Sequence, residues 1–375
     1  MTLYNPDTYC PIAFAGFDTR EKKVCCVLDS TDRFDTFSKM SKSNLMQELK
    51  KDLLSGIKNK LCNHCWVHEA AGAESLRQTF SKKITDEIIQ QEIQEKKLKY
   101  LVIDSGNVCN LACRTCGPWS SSSHIKEYEE KNIKFGRSSW PMAITKTDLE
   151  YLQSEDLSMV TTVSVLGGEP FQNLEHLSVL DAIINQGYAA NCSLNYTTNC
   201  TITLPNKIKD KFNKFKSVHF MLSVDAVNEQ AEYIRTNSKW QVVSATVEYF
   251  KELSKNNPAI RITMHPTISV LNVMYLDEMY QWFAENNLKS HLIFCEQPEW
   301  YSFNIFDDYQ KEILIRTLES SEFDMLSVIQ RVDASTFNQN ALDNFYREVE
   351  FTTEFRKLDI YRYLPRLMTL LGRQL

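Results

Sequence analysis

The feature that most limits the fold is an alternation of short apolar runs with amphipathic stretches from residue 98 onward. The runs KLKYLVID, VTTVSVL, CSLNYTT, VHFMLSV, IRITMHPTI and SHLIFCE have the β-branched and aromatic content of strands. Between them lie helical patterns at SSHIKEYEEKN, LEHLSVLDAIINQ, 206–214, WQVVSATVEYFKELSK and MYLDEMYQWFAEN. Six strands alternating with helices imply βαβ units and a parallel sheet. Right-handed crossovers curl such a sheet into a full or partial barrel. The spacing predicts an α/β fold: a partial (β/α)6 TIM-type barrel over 98–298.

Two flanks differ from the barrel. Residues 1–82 are rich in cysteine and include an amphipathic helical pattern at 45–57, and 83–97 reads as a charged helical connector. Residues 299–375 read as a helical C-terminal region. Apolar residues make up 43% of the 375, enough for a full core. The net charge of −6 supplies no basic footprint, which argues against bulk binding of nucleic acid. The opening MTLYNPDTYC has no basic start before an apolar run, and no stretch nears the roughly 18 apolar residues of a membrane span. A soluble, cytoplasmic protein is expected.

Eleven cysteines are many for such a chain, and without a secretory signal metal or catalysis explains them better than disulfides. Cys109, Cys113 and Cys116 fall within eight residues, just after the first barrel strand. Residues at the C-terminal ends of parallel strands converge on one face, where active sites form. Thiolates are soft ligands suited to iron–sulfur clusters, and three of them leave one iron of a cubane open. A zinc site with His124 as fourth ligand is the competing reading. Cys10, Cys25, Cys26, Cys62 and Cys65 form a second set, in which Cys62-Asn63-His64-Cys65 also suits structural zinc, with His64 and His68 as further ligands. Cys192, Cys200 and Cys295 read as small core residues.

The spacing C-x3-C-x2-C after the first strand resembles the signature of radical S-adenosylmethionine (SAM) enzymes. The fuller string from Cys109 to Ser122, CNLACRTCGPWSSS, resembles a branch with a twitch/SPASM-like auxiliary cluster module. Thr115 stands where that superfamily commonly places a large or aromatic residue. The second strand ends in Leu166-Gly167-Gly168-Glu169-Pro170. Glycines let a backbone approach a ligand closely, and a carboxylate beside them accepts hydrogen bonds from an ammonium group. By resemblance, Glu169 binds the SAM amine, Ser223 and Asp225 its ribose hydroxyls, and Arg235 its carboxylate. The plain alternative for Asp225 and Arg235 is a helix cap and a surface ion pair. Thr198, Asn199 and Asn272 also follow strands, as ligand contacts or as turn residues.

The resemblance extends to both ends. Tyr9-Cys10-Pro11, Val24-Cys25-Cys26, Cys62 to Cys65 and the stretch from Glu69 to Gln78 look like the N-terminal module of that branch. Lys357 to Arg362 with Leu364 to Leu367 resembles its end. The implied cofactors are a SAM-binding [4Fe–4S] cluster, SAM itself and an auxiliary [4Fe–4S] cluster on the second cysteine set, with either Cys25 or Cys26 as ligand. The implied chemistry is reductive cleavage of SAM to a 5′-deoxyadenosyl radical that takes a hydrogen atom from substrate, fed by an electron donor such as flavodoxin or ferredoxin. A ribosomally made peptide is the leading substrate. The alternatives are a non-catalytic zinc or iron–sulfur scaffold and a radical SAM modifier of a nucleotide or tRNA.

Overall fold

The structure, a computed structural model, describes residues 4–70, 74–82, 85–95, 97–133 and 145–372. Parts of the expected connector (83–84 and 96) and of the Glu69–Gln78 stretch (71–73) lie outside the described residues. Six strands form one sheet in chain order: β1 Gly16–Asp18, β2 Tyr100–Asp104, β3 Thr162–Leu166, β4 Ser193–Thr198, β5 Ser217–Leu222 and β6 Ile260–Met264. Parallel pairing sets Gly16 opposite Tyr100, Tyr100 opposite Thr162, and Thr162 opposite Ser193. Helices follow the strands, among them Leu177–Asn185, Asn206–Phe212, Trp240–Asn256 and Leu276–Glu285. This is the expected α/β architecture of a partial barrel.

The strands alternate. Leu101, Ile103, Val163, Val165, Leu194, Tyr196, Val218, Phe220 and Leu222 are buried. The residues between them, such as Ser164, Asn195 and His219, are half-buried and polar. One face therefore carries the core, and Phe220 packs 4.7 Å from Phe250 of the following helix. The other face presents polar groups, as the interior of an incompletely closed barrel requires.

Two strands differ from the sequence reading. β1 comes from the cysteine-rich N-terminus, where three residues are too few to show a period. The expected sixth strand, SHLIFCE, shrinks to β8 Ile293–Phe294. β8 pairs in parallel with β7 Thr267–Ile268, and Ser290, the first residue of the run, bridges Met264 at the end of β6. Pro266 is the physical reason. It cannot donate to a ladder and disfavours continuation, so the run IRITMHPTI breaks into β6 and β7.

The described chain separates into two compact units. One comprises Met1–Gly106, Ala143–Tyr196 and Pro205–Val218; the other Asn107–Met142, Thr197–Leu204 and His219–Leu375. In the second, the C-terminal region is helical, with Asp308–Glu319, Leu326–Asp333 and Gln339–Arg356 its longest elements. Among the described residues no helix is long and apolar enough to cross a membrane.

Candidate active site

The loop after β2 carries the cysteine triplet. None of the three is in a disulfide; Cys113 is buried, and Cys109 and Cys116 are half-buried. Two N–H groups point at the Cys109 sulfur: the backbone of Leu111 at 3.5 Å and the side chain of Asn199 at 3.6 Å. Asn199 also donates to Asn110 Oδ1 at 2.9 Å, so the residue that follows β4 holds the first cysteine of the triplet in place. Burial pushes the Cys113 thiol up to about 12, while the Arg235 cation pulls the other way. The Trp119 ring covers Gly117, where any β-carbon would collide with it.

The loop is tied from behind. Ala112 N–H donates to the Thr236 carbonyl at 2.9 Å, and Arg114 N–H to that of Ile234 at 2.8 Å. The Arg114 guanidinium lies 3.7 Å from the Tyr233 ring centroid and donates to Tyr233 O and Thr352 Oγ1. Arg356 pairs with buried Glu127 at 2.7 Å and donates to Ala112 O and Thr236 Oγ1, each at 2.9 Å. His124, 2% exposed, is occupied at both nitrogens: Nε2 lies 3.1 Å from the Cys113 carbonyl and Nδ1 3.5 Å from Arg356. It braces the loop backbone in the place where a zinc reading would have used it as a ligand.

Asp225 and Arg235 are bonded to each other at 2.8 Å. This is a buried pair, in contrast to the surface pair of the plain alternative. Asp225 Oδ1 also accepts from Thr267 N–H at 2.8 Å. Arg235 is held charged by Cys113 and Asp225 against the cost of its burial. Among the described residues its Nε–H has no partner, which leaves one buried charged donor for a ligand. Ser223 is half-buried, and its N–H donates to the Thr198 carbonyl at 2.9 Å. Asn272 is a turn residue: it donates to Asp225 O and Thr267 O and accepts from Ser269 N–H.

The Gly-Gly-Glu turn lies in the other unit, after β3. Gly167 has φ +144°, and a β-carbon there would meet Ser105 Oγ at 2.4 Å and Gly106 O at 2.7 Å. Gly168 N–H donates to Gly106 O at 2.6 Å. Only glycine lets the turns after β2 and β3 abut so closely. Glu169 is fully buried and accepts from Phe171 N–H at 3.2 Å.

A cysteine triplet after one strand, a glycine–glycine–glutamate turn after the next and a buried arginine–aspartate pair after a third agree with a sequence comparison. Residues 103–282 match the radical SAM superfamily. That stretch, just under half of the chain, is similar to a radical SAM domain. The protein is thus an enzyme, and the iron–sulfur cluster and SAM are the cofactors of that superfamily. Among solved structures, it resembles native anSMEcpe with bound AdoMet and Kp18Cys peptide at 16% identity and TM-score 0.41, over 69% of this chain and 66% of that one. It resembles Streptococcus suis SuiB bound to S-adenosylmethionine at 13% identity and TM-score 0.35, over 88% of this chain and 66% of that one. The chain thus spans just under two thirds of each. No curated protein matches it by sequence.

Apart from the triplet after β2, four cysteines of the N-terminal region line one cavity: Cys10, Cys25, Cys62 and Cys65, together with Arg77. Cys26 is exposed and senses Asp18 and Glu21. Burial pushes Cys10 and Cys62 up to about 12 and Cys25 well above the usual thiol range. A bound cation must therefore displace the protons of these three thiols. The four surround a cavity and not a point: among the described residues, no three His, Cys, Asp or Glu side chains converge as a single ion requires. His64 is exposed and stacks on His68 at 4.4 Å. Cys192, Cys200 and Cys295 are buried core residues, as expected.

Proposed function

We propose that the enzyme reductively cleaves SAM at a [4Fe–4S] cluster held by Cys109, Cys113 and Cys116. When bound, that cluster supplies the electron that turns SAM into a 5′-deoxyadenosyl radical and methionine. The observation that carries the reading is the donor set around these thiols. Asn199 and Leu111 N–H point at Cys109, and the Arg235 cation with its unpartnered Nε–H lies near Cys113. Such donors suit an anionic cluster and a carboxylate ligand.

The chain's own residues then divide the remaining work. Glu169 receives the SAM ammonium, with Gly167 and Gly168 allowing the backbone to come close. Arg235 receives the SAM carboxylate through Nε. Ser223 and the remaining lone pairs of Asp225 accept the ribose hydroxyls. Cys10, Cys25, Cys62 and Cys65 hold a second [4Fe–4S] cluster in a twitch-like module at 1–82, the barrel occupies 98–298, and 299–375 is a helical region that braces the cysteine loop. Flavodoxin or ferredoxin provides the electron, and a ribosomally made peptide is the substrate, both on the resemblance. The setting is cytoplasmic, where such donors operate.

The test is anaerobic. Wild-type protein should bind about eight iron and about eight sulfide per chain, the sum of two cubanes. Alanine at Cys109, Cys113 and Cys116 together should remove about half of the iron and abolish dithionite-driven formation of 5′-deoxyadenosine. Wild-type production by the triple mutant, or zinc in place of iron, defeats the reading. A mass change in a candidate peptide, dependent on SAM, tests the substrate.

A further inference from the structure

The cavity lined by the N-terminal cysteines contains one charged side chain that the ligand set does not use. Arg77 is 6% exposed. Its Nε and Nη2 donate to the Glu69 carboxylate at 2.9 and 2.7 Å. Its Nη1 donates at 3.1 Å to the carbonyl of Tyr9, the peptide that leads into Cys10. The guanidinium carbon sits 5.1 Å from the ring centroid of Trp66, which follows Cys65. Ser75 Oγ fixes Glu69 in turn at 2.6 Å. The cation is thus locked to both chain segments that bring Cys10 and Cys65 to the cavity.

We propose that Arg77 is the positioning residue that sets the reduction potential of a cluster held by Cys10, Cys25, Cys62 and Cys65, with Glu69 as the opposing charge. This rests on the reading of that set as an iron–sulfur site. Cluster potentials follow the net charge and the hydrogen bonds around the cluster. Reduction adds a negative charge, which a fixed cation in a poorly solvated cavity favours. Loss of the cation leaves the Glu69 carboxylate facing the thiolates and disfavours reduction. Loss of the Glu69 charge leaves the cation uncompensated and favours it. A residue that merely braced the fold would not produce shifts of opposite sign.

The experiment uses the full chain with Cys109, Cys113 and Cys116 replaced by alanine, so that any cluster signal comes from the N-terminal set. The protein is reconstituted anaerobically and titrated while the reduced-cluster resonance is followed. Relative to that background, Arg77→Leu should shift the midpoint to more negative potential and Glu69→Gln to more positive potential. Arg77→Lys should lie nearer the background than Arg77→Leu. Should Arg77→Leu lose its iron, the other two variants decide. Shifts of the same sign, or none, overturn the role of Arg77. A background protein that binds no iron instead overturns the iron–sulfur reading of the site.

Discussion

Arg356 closes the helix Gln339–Arg356 and donates through Nη1 to the carbonyl oxygen of Ala112, 244 residues earlier, at 2.9 Å. Ala112 lies between the first two cysteines of the triplet after β2. The geometry of the cysteine loop therefore depends on the far end of the chain as well as on the strand it follows. Arg114 makes the reverse connection, from the loop to Thr352 of the same helix.

Arg356→Ala should be costly, because Glu127, with its side chain 3% exposed, then keeps only Lys131, at 3.3 Å, as a cationic partner. Removing one partner of such a pair typically costs about 3–5 kcal/mol. Denaturant melts of the anaerobic protein would measure it, and the double variant with Glu127→Gln should recover part of the loss. Equal stability of the single and double variants would mean that the pair is not coupled.

Glu169→Ala should weaken SAM binding while leaving the cluster absorbance intact. A lost charge-assisted hydrogen bond costs about 1.5–3 kcal/mol, or roughly 10- to 150-fold in affinity. Equilibrium dialysis with SAM gives the dissociation constant, and an unchanged value removes Glu169 from the site.

Cys25 and Cys26 should behave differently despite being neighbours. Cys25 lines the cavity with Cys10, Cys62 and Cys65, and Cys26 does not. In the barrel triple mutant, Cys25→Ala should lose most of the remaining iron and Cys26→Ala should keep it. Iron analysis after reconstitution distinguishes them; the reverse pattern would assign Cys26 as the ligand.

Stability should fall as the pH drops from about 6.5 to about 4. His176 is fully buried between the Asn173 carbonyl and the Tyr196 hydroxyl, and desolvation holds its pKa down to about 4. The native state thus stays neutral while the unfolded chain takes up a proton, so the stabilisation is complete above 6.5 and lost on acidification. The gap is worth about 3 kcal/mol. Urea midpoints across this range should fall less steeply for His176→Gln; parallel curves would contradict the assignment.

Most of the sheet was legible because β2 to β6 are long enough to show their composition, and the helices between them show a clear period. Cysteine spacing located the triplet, and glycine chemistry located the turn after β3. Three things were not legible. β1 is held by pairing with β2 and has no local signal of its own. The division of the last strand's pairing between β6 and β7 depends on Pro266, whose effect is felt by a partner along the chain. The burial of the Asp225–Arg235 pair, and the roles of Arg114, His124, Asn199 and Arg356, arise from contacts with elements distant in sequence. A residue read alone gives no sign of those partners.

The tie between Arg356 and Ala112 has a consequence for biogenesis. A ribosome adds about 5–20 residues per second, so the brace emerges about 12–50 s after the cysteines it supports. During that interval the loop has its thiols but not its clamp. Cluster insertion into a fully shaped site must follow completion of the C-terminal helix, and a nascent chain stalled before it would expose three unsupported thiols to oxidation.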